Sequence, residues 1–440
     1  MKPSMDLPKK PSADPSDPIV VPSSGLRVTV SWRLAGALAA LALAPWLVVA
    51  LVVLRPPGDA QQGEGGNPAP AAPALLPGGW PAKGQPGPWG ELEYVPISIT
   101  PPTEFMAEME MSGDVRPWWF PGMTADQVRA YFERLELTPE QKSRLLAGLS
   151  PAPQVNGFVI TPDPEVVKTL SPEARRRLYR RLSAYNQNVP QVNAFRITPS
   201  EYEQRLMKAA IPEAARQLVR QLTYHEDRYD FFADLPLVLP LVAEEESRVQ
   251  LLKMLARQTS ALVRLRVRQD TAVGPLAEYW GRGGRTKELR PLLESLANVS
   301  GGQAIDIVHL LPGFARRRIY TYPRPSNVPL AANQDCHWTS LNFFNDLPDD
   351  RFLNTQTVTD VIERDYYPVY GSRLLGDIVL VAVNGGSIIH SAVYIANDIV
   401  FTKNGSRWSA PWMFMRLDDV KGFYPRDGAI SIQFIRRNDL

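Results

Sequence analysis

Cysteine is nearly missing: the chain of 440 residues has one, Cys336. No internal disulfide can form, so a large folded part must be stable through its core alone. Histidine is almost as scarce, with four residues, and His225 and His309 have no second ligand at metal-binding spacing, which argues against a zinc site. Net charge is also small, +2, which argues against a nucleic-acid binder relying on bulk charge. With no phosphate loop and no dinucleotide fingerprint, the sequence calls for no metal or organic cofactor.

Proline, by contrast, is plentiful, with 42 residues, many of them before residue 90 in segments too poor in large apolar groups to bury a core. Within that region residues 34–54 carry no charge. As a helix they would span about 31 Å, against a hydrocarbon core of about 30 Å. A single transmembrane helix is therefore expected there, with Pro45 tolerated inside it. Lys2, Lys9, Lys10, Arg27 and Arg33 precede the run, whereas only Arg55 and then Lys83 follow closely. That asymmetry puts the tail 1–33 in the cytoplasm and the bulk of the chain outside, at the cell membrane. A cleaved signal peptide is the rival, but its charged region is usually short, and no clear small-x-small site follows Leu54. Residues 55–88 read as a Pro/Gly-rich tether.

From 89 to 317 the apolar period is helical, predicting an all-α domain. Helix starts recur at Thr138-Pro139-Glu140 and Ser171-Pro172-Glu173, with Ile211-Pro212-Glu213 a weaker third. Residues 153–162 return as 190–199, identical at eight of ten positions, so the domain contains an internal repeat. A structural role suffices for it; the functional alternative is that the Gln-Val-Asn loops at 154–156 and 191–193 line one face and hold a ligand. Arg175, Arg176, Arg177, Arg180 and Arg181 read as the solvated face of an amphipathic helix whose buried spacing is kept by Leu178 and Leu182. Pro117-Trp118-Trp119-Phe120 reads as cover for a flank. Val249, Leu252, Leu255, Leu262 and Leu265 predict one long core helix over 244–268.

Chemistry concentrates in the last third. Asp335-Cys336-His337-Trp338 opens a helix with Asp335 as cap, and the positive end of a helix favours a thiolate. Trp338, Leu341 and Phe344 form its buried stripe. His337 points about 100° away from Cys336 around a helix, so the base is expected elsewhere. His390 is the natural choice, on a strand where Ile388, His390, Ala392 and Tyr394 share a face. A third group orienting the imidazole is offered by Thr402 and Asn404, which share a face of the next strand. An amide oxygen suits an imidazolium better than a hydroxyl, yet Asn404-Gly405 is also an ordinary turn. Strands at 378–383, 388–395, 399–403 and 429–435 complete an antiparallel meander over 318–440.

The order of helix-borne Asp335-Cys336, strand-opening Gly376-Asp377-Ile378-Val379 and then His390-Ser391-Ala392-Val393-Tyr394 resembles the NlpC-type cell-wall cysteine peptidases, a papain-like α+β family, over about residues 318–425. His337-Trp338 stands where that family has Ser-Gly, and Thr402 falls near its third polar residue, commonly His. The resemblance implies amide hydrolysis of peptidoglycan stem peptides, or acyl transfer in related branches, through a thioester, with backbone N–H groups near Cys336 holding the oxyanion. Tyr322, Asp335, His337 and Trp338 would line the substrate pocket. The expected whole is a membrane-anchored extracytoplasmic cysteine hydrolase of α+β class, with one helix of its papain-like part packed on the sheet. A non-catalytic envelope scaffold and a thiol acyltransferase are the alternatives.

Overall fold

The computed structural model describes residues 26–27, 76, 79–107, 115–324, 334–384, 386–424 and 429–440. The span expected at 34–54 lies outside them. Among the described residues no helix is long and apolar enough to cross a membrane. The longest, Glu245–Ala256 and Thr286–Ala297, have 12 residues each, where a span takes about 20. The expected architecture is corrected accordingly, to a mixed α/β fold of short helices and several antiparallel sheets.

The middle of the chain is not all-α. Strands β1 (Glu91–Ile99), β2 (Trp118–Pro121), β3 (Leu149–Ala152), β4 (Gly157–Ile160), β5 (Phe195–Ile197), β6 (Tyr224–Glu226), β7 (Tyr229–Phe232), β8 (Gln258–Val267) and β9 (Gln303–Asp306) make three small sheets, ordered β9-β8-β1, β2-β4-β3 and β5-β7-β6. The long helix expected at 244–268 breaks in two. Its first part is a helix, Glu245–Ala256, after which Arg257 turns extended and β8 pairs with β1 along its length. Ala261, Val263, Leu265 and Val267 are all fully buried, a period of two that places the branched side chains on one face of a strand.

Helix starts follow the local chemistry. Thr138 caps α1 (Pro139–Ala147) through a reciprocal capping box with Gln141, and Ser171 accepts the Ala174 N–H to cap α2 (Pro172–Leu182). Pro212 precedes α3 (Glu213–Leu222) with no side-chain cap, which fits the weaker signal there. Both repeat copies form a helical turn and then a strand, Pro153–Val155 before β4 and Val189–Val192 before β5. They differ where Gly157 faces Ala194: a Cβ on Gly157 would lie 2.3 Å from the Phe120 carbonyl oxygen, so only the first copy demands glycine.

The arginine run of α2 is not a bare solvated face. Arg175 is fully buried and pairs with Asp234, which also accepts the Tyr179 hydroxyl at 2.5 Å. Arg176 and Arg177 pair with Glu173, and Arg180 with Glu226. Trp118 and Phe120 belong to the core of this region rather than its flank.

The C-terminal part is built on β10 (Tyr366–Pro368), β11 (Ile378–Val383), β12 (Ser387–Ala396), β13 (Ile399–Lys403), β14 (Trp412–Arg416) and β15 (Ile430–Arg437), hydrogen-bonded in the order β10-β15-β11-β12-β13-β14. Three helices accompany them, where one was expected: α4 (Cys336–Leu341), α5 (Thr355–Asp365) and α6 (Leu417–Phe423). Gly376 opens β11 at φ 92°, and a Cβ there would lie 2.2 Å from Phe344. Asp377 holds Arg436 with both carboxylate oxygens, at 2.7 and 2.8 Å, so the Gly-Asp pair has a structural job at the strand entrance. Leu92, Tyr94, Val263 and Leu265 lie in the same cluster as Val393, Phe401 and Phe414, so one core spans both sides of residue 318. Trp80, assigned by composition to the tether, packs on Tyr94 with ring centroids 5.4 Å apart.

Replacing Asp234 by alanine would strand the Arg175 charge in the core and should lower stability by about 3–5 kcal/mol in urea unfolding. Arg177→Ala, on the exposed side of the same helix, should cost less than about 1 kcal/mol. Equal effects from the two would show that the buried pair is not the anchor of α2.

Candidate active site

The short helix α4 is seated by its own polar groups. Asp335 accepts the Trp338 N–H at 2.8 Å, its carbonyl accepts the Thr339 hydroxyl at 2.7 Å, and the Trp412 indole donates to Thr339 at 3.0 Å. Trp338 is fully buried against Phe314, and its indole donates to Asp350 at 3.0 Å. It is a core anchor, not a pocket wall. The expected stripe is also shifted, since Trp338, Leu341 and Phe343 are buried while Phe344 is only partly so. Tyr322 is likewise drawn away, donating its hydroxyl toward the carbonyls of Ile99 and Ala256, at 3.0 and 2.8 Å.

Cys336 is 6% exposed and His390 fully buried. The imidazole uses Nε2 with the Thr402 hydroxyl at 2.9 Å, and the Thr402 hydroxyl donates on to Asn404 Oδ1 at 3.5 Å. When the Thr402 proton is directed to Asn404, Thr402 accepts from Nε2–H, the tautomer in which Nδ1 is the basic nitrogen. Nδ1 is buried and makes no hydrogen bond, but the ring lies close enough to the thiol to favour its ionisation. Thr402 is thus the direct partner of His390, and Asn404 stands one bond further out, also accepting the Tyr424 hydroxyl at 3.3 Å. The Tyr424 ring stacks on the imidazole with centroids 4.5 Å apart.

A β-bulge between β11 and β12 changes the expected face. Val381 pairs with His390 but Ala382 with Ile388, so Ile388 joins Leu341 and Ile378 instead of Ala392 and Tyr394.

His337 does not point away from the sulfur. Its Nδ1 lies 3.0 Å from Ser391 Oγ, which donates to Ser340 Oγ at 3.1 Å, and its ring also engages the thiol. Burial works against charge on this imidazole, but the thiolate's charge and hydrogen bond, with Asp335 adding, hold it at about 9. For Cys336, burial pushes the thiol up, and the charges of His337 and His390 together with hydrogen bonds to both bring it well below its ordinary value. Asp335 is raised above the usual carboxylate range by burial and by the adjoining thiolate.

Lys403 was not foreseen as part of the site. It is fully buried, with Nζ donating to the carbonyls of Gly405 at 2.6 Å and Arg407 at 3.1 Å. Burial takes it down to about 7, against the opposing pull of Asp335 and Cys336. Its position two residues after the core residue Phe401 on one strand was the available signal. Among the described residues no group of three or more His, Cys, Asp or Glu is arranged to hold a metal ion. No family model matches the chain, and neither a curated protein nor a solved structure matches it.

Alkylation of Cys336 by iodoacetamide should follow a midpoint well below the roughly 8.5 of a free thiol. Because both imidazoles stabilise the thiolate, His337→Gln and His390→Ala should each move that midpoint upward. In the parent chain the thiolate–imidazolium arrangement persists up to about 9, where His337 loses its proton. A parent midpoint near 8.5 would contradict this electrostatic account.

Proposed function

We propose that the chain is a cysteine hydrolase that cleaves an amide bond of a cell-envelope peptide through the Cys336 thiolate. The observation that carries this is a thiol whose ionisation is favoured by His337 and His390, with the His390 ring bonded in turn to Thr402 and Thr402 to Asn404. In this reading the thiolate attacks the amide carbonyl carbon, and the oxyanion that forms faces the backbone N–H groups of Cys336 and His337. These are the first two of a helix and have no intrahelical acceptor, while those of Trp338 and Thr339 are taken by Asp335. The proton on His390 goes to the leaving nitrogen as the C–N bond breaks, leaving a thioester. Water, losing a proton to Nδ1, then attacks that thioester; the acid product departs and the thiol is restored. Thr402 keeps the ring in the tautomer that exposes Nδ1.

The near-complete burial of Cys336 and His390 favours a second reading, a non-catalytic scaffold with a retained papain-like arrangement. Digestion of purified peptidoglycan, followed by mass analysis of released fragments, separates the two. The hydrolase reading expects new amine and carboxyl ends from the parent chain, none from Cys336→Ala, and a loss of about 10²–10⁴-fold for His390→Ala. Thr402→Val should lower kcat on the order of 10-fold or more with KM little changed. No fragments from the parent would leave the scaffold, and equal turnover by parent and Cys336→Ala would rule out covalent catalysis by this residue.

A further inference from the structure

The loop that follows Thr402 carries a charge that the catalytic steps do not use. Arg407 donates to the Asn193 carbonyl, and no ion pair to a carboxylate is formed by it among the described residues. The other charges that act on it are Arg196 and Arg116, both positive, and with burial they hold its guanidinium down at about 10. Arg407 is partly buried, as is Arg196, while Arg116 is exposed, and a partly desolvated cation among like charges is an arrangement that an anion would relieve.

There is room for one. Arg407, Arg196, Asn193, Gln258 and Asn404 line a cavity of about 30 Å³, the volume of one or two waters and so of a carboxylate. Its wall includes Asn404, the last member of the relay from His390, so the space adjoins the catalytic machinery. It shares Arg196, Gln258, Met413 and Phe423 with a larger cleft of about 350 Å³ between the middle region and the catalytic sheet. The guanidinium of Arg196 is held over Phe423 at 4.4 Å. The loop itself is pinned from beneath, since Lys403 donates to the carbonyls of Gly405 and Arg407. These are the features of a prepared anion site: fixed donors, polar walls and like charges gathered on one side.

We infer that Arg407, in the small cavity that shares a wall with the cleft, forms a subsite for a carboxylate of the peptide substrate. Taken with the hydrolase reading, on which this assignment of the ligand rests, it means that the enzyme selects peptides with a free carboxylate near the bond to be cut. Of the two repeat copies, the second supplies Asn193 to this site, while the first lies elsewhere.

The test uses N-acetyl-alanine and its neutral amide as probes of one shape and different charge. Each is titrated into the full chain at constant ionic strength, and the melting temperature is followed. The acid should raise it in a saturable way and the amide should not. Arg407→Met should weaken the acid's apparent affinity at least about tenfold, and Arg407→Lys, which keeps the charge but loses the fork, should fall between. Circular dichroism of both variants should match the parent. Cys336→Ala should bind the acid as the parent does. If acid and amide act alike, or Arg407→Met binds the acid as well as the parent, the subsite is wrong. Retained acid binding with no peptidoglycan cleavage by the parent would instead overturn the hydrolase reading and leave an anion-binding site standing.

Discussion

A sulfur anion placed almost out of reach of water has to be stabilised by its immediate neighbours, and that requirement organises the C-terminal half. Cys336 lies beside two imidazoles, one from its own helix and one from β12, while Asp335 and Lys403 feel the same charge from further out. No member can change alone. The charge of the thiolate raises the His337 imidazole, and both rings lower the Cys336 thiol. The surrounding neutral groups then set directions: Ser391 fixes His337, Thr402 fixes His390, and Trp412 with Asp335 fixes the helix that brings the sulfur. Charge supplies the affinity among these parts, and hydroxyl hydrogen bonds supply the geometry.

Much of this was legible along the chain because its signals are local. Thr138 and Ser171 announce helix starts through side chains that bond within three residues, and β11, β12 and β13 alternate clearly enough to be located. Cys336 and His390 declared themselves by residue type and by the elements that bear them. The failures lie where partners are distant or where one pattern satisfies two periods. Leu262 and Leu265 are spaced for a helix, but the fully buried apolar residues are Ala261, Val263, Leu265 and Val267, and the partner strand that decides between the two is β1, far back in the chain. Strands such as β5, of three residues, are too short to show any period. Arg175 reads as surface until Asp234, 59 residues later, is brought to it.

The choice between Thr402 and Asn404 shows a finer limit. Both residues share a strand face, and chemical preference favoured the amide. The hydroxyl nonetheless takes the ring nitrogen, and the amide takes the hydroxyl, so that a relay replaces a choice. Similarly, spacing around a helix gave the direction of the His337 backbone, but in so short a helix the ring reaches back to both Ser391 and the sulfur. One-residue offsets such as the bulge at His390 have the same character: they turn individual side chains while leaving the element where the pattern put it.

The stitching across residue 318 has a consequence for how this molecule can be handled by evolution or by an engineer. Tyr320 and Trp412 exchange backbone bonds through Thr321, the Tyr320 hydroxyl reaches Ala261, the Ser260 hydroxyl reaches Phe414, and Tyr279 reaches Ile395. A fragment beginning at 318 would keep Val393, Phe401 and Phe414 and leave their neighbours Val263 and Leu265 behind. It would present a greasy slab to water and invite self-association. The thiol-bearing half is therefore no interchangeable cassette, and grafting it elsewhere means carrying along the sheet on which it rests.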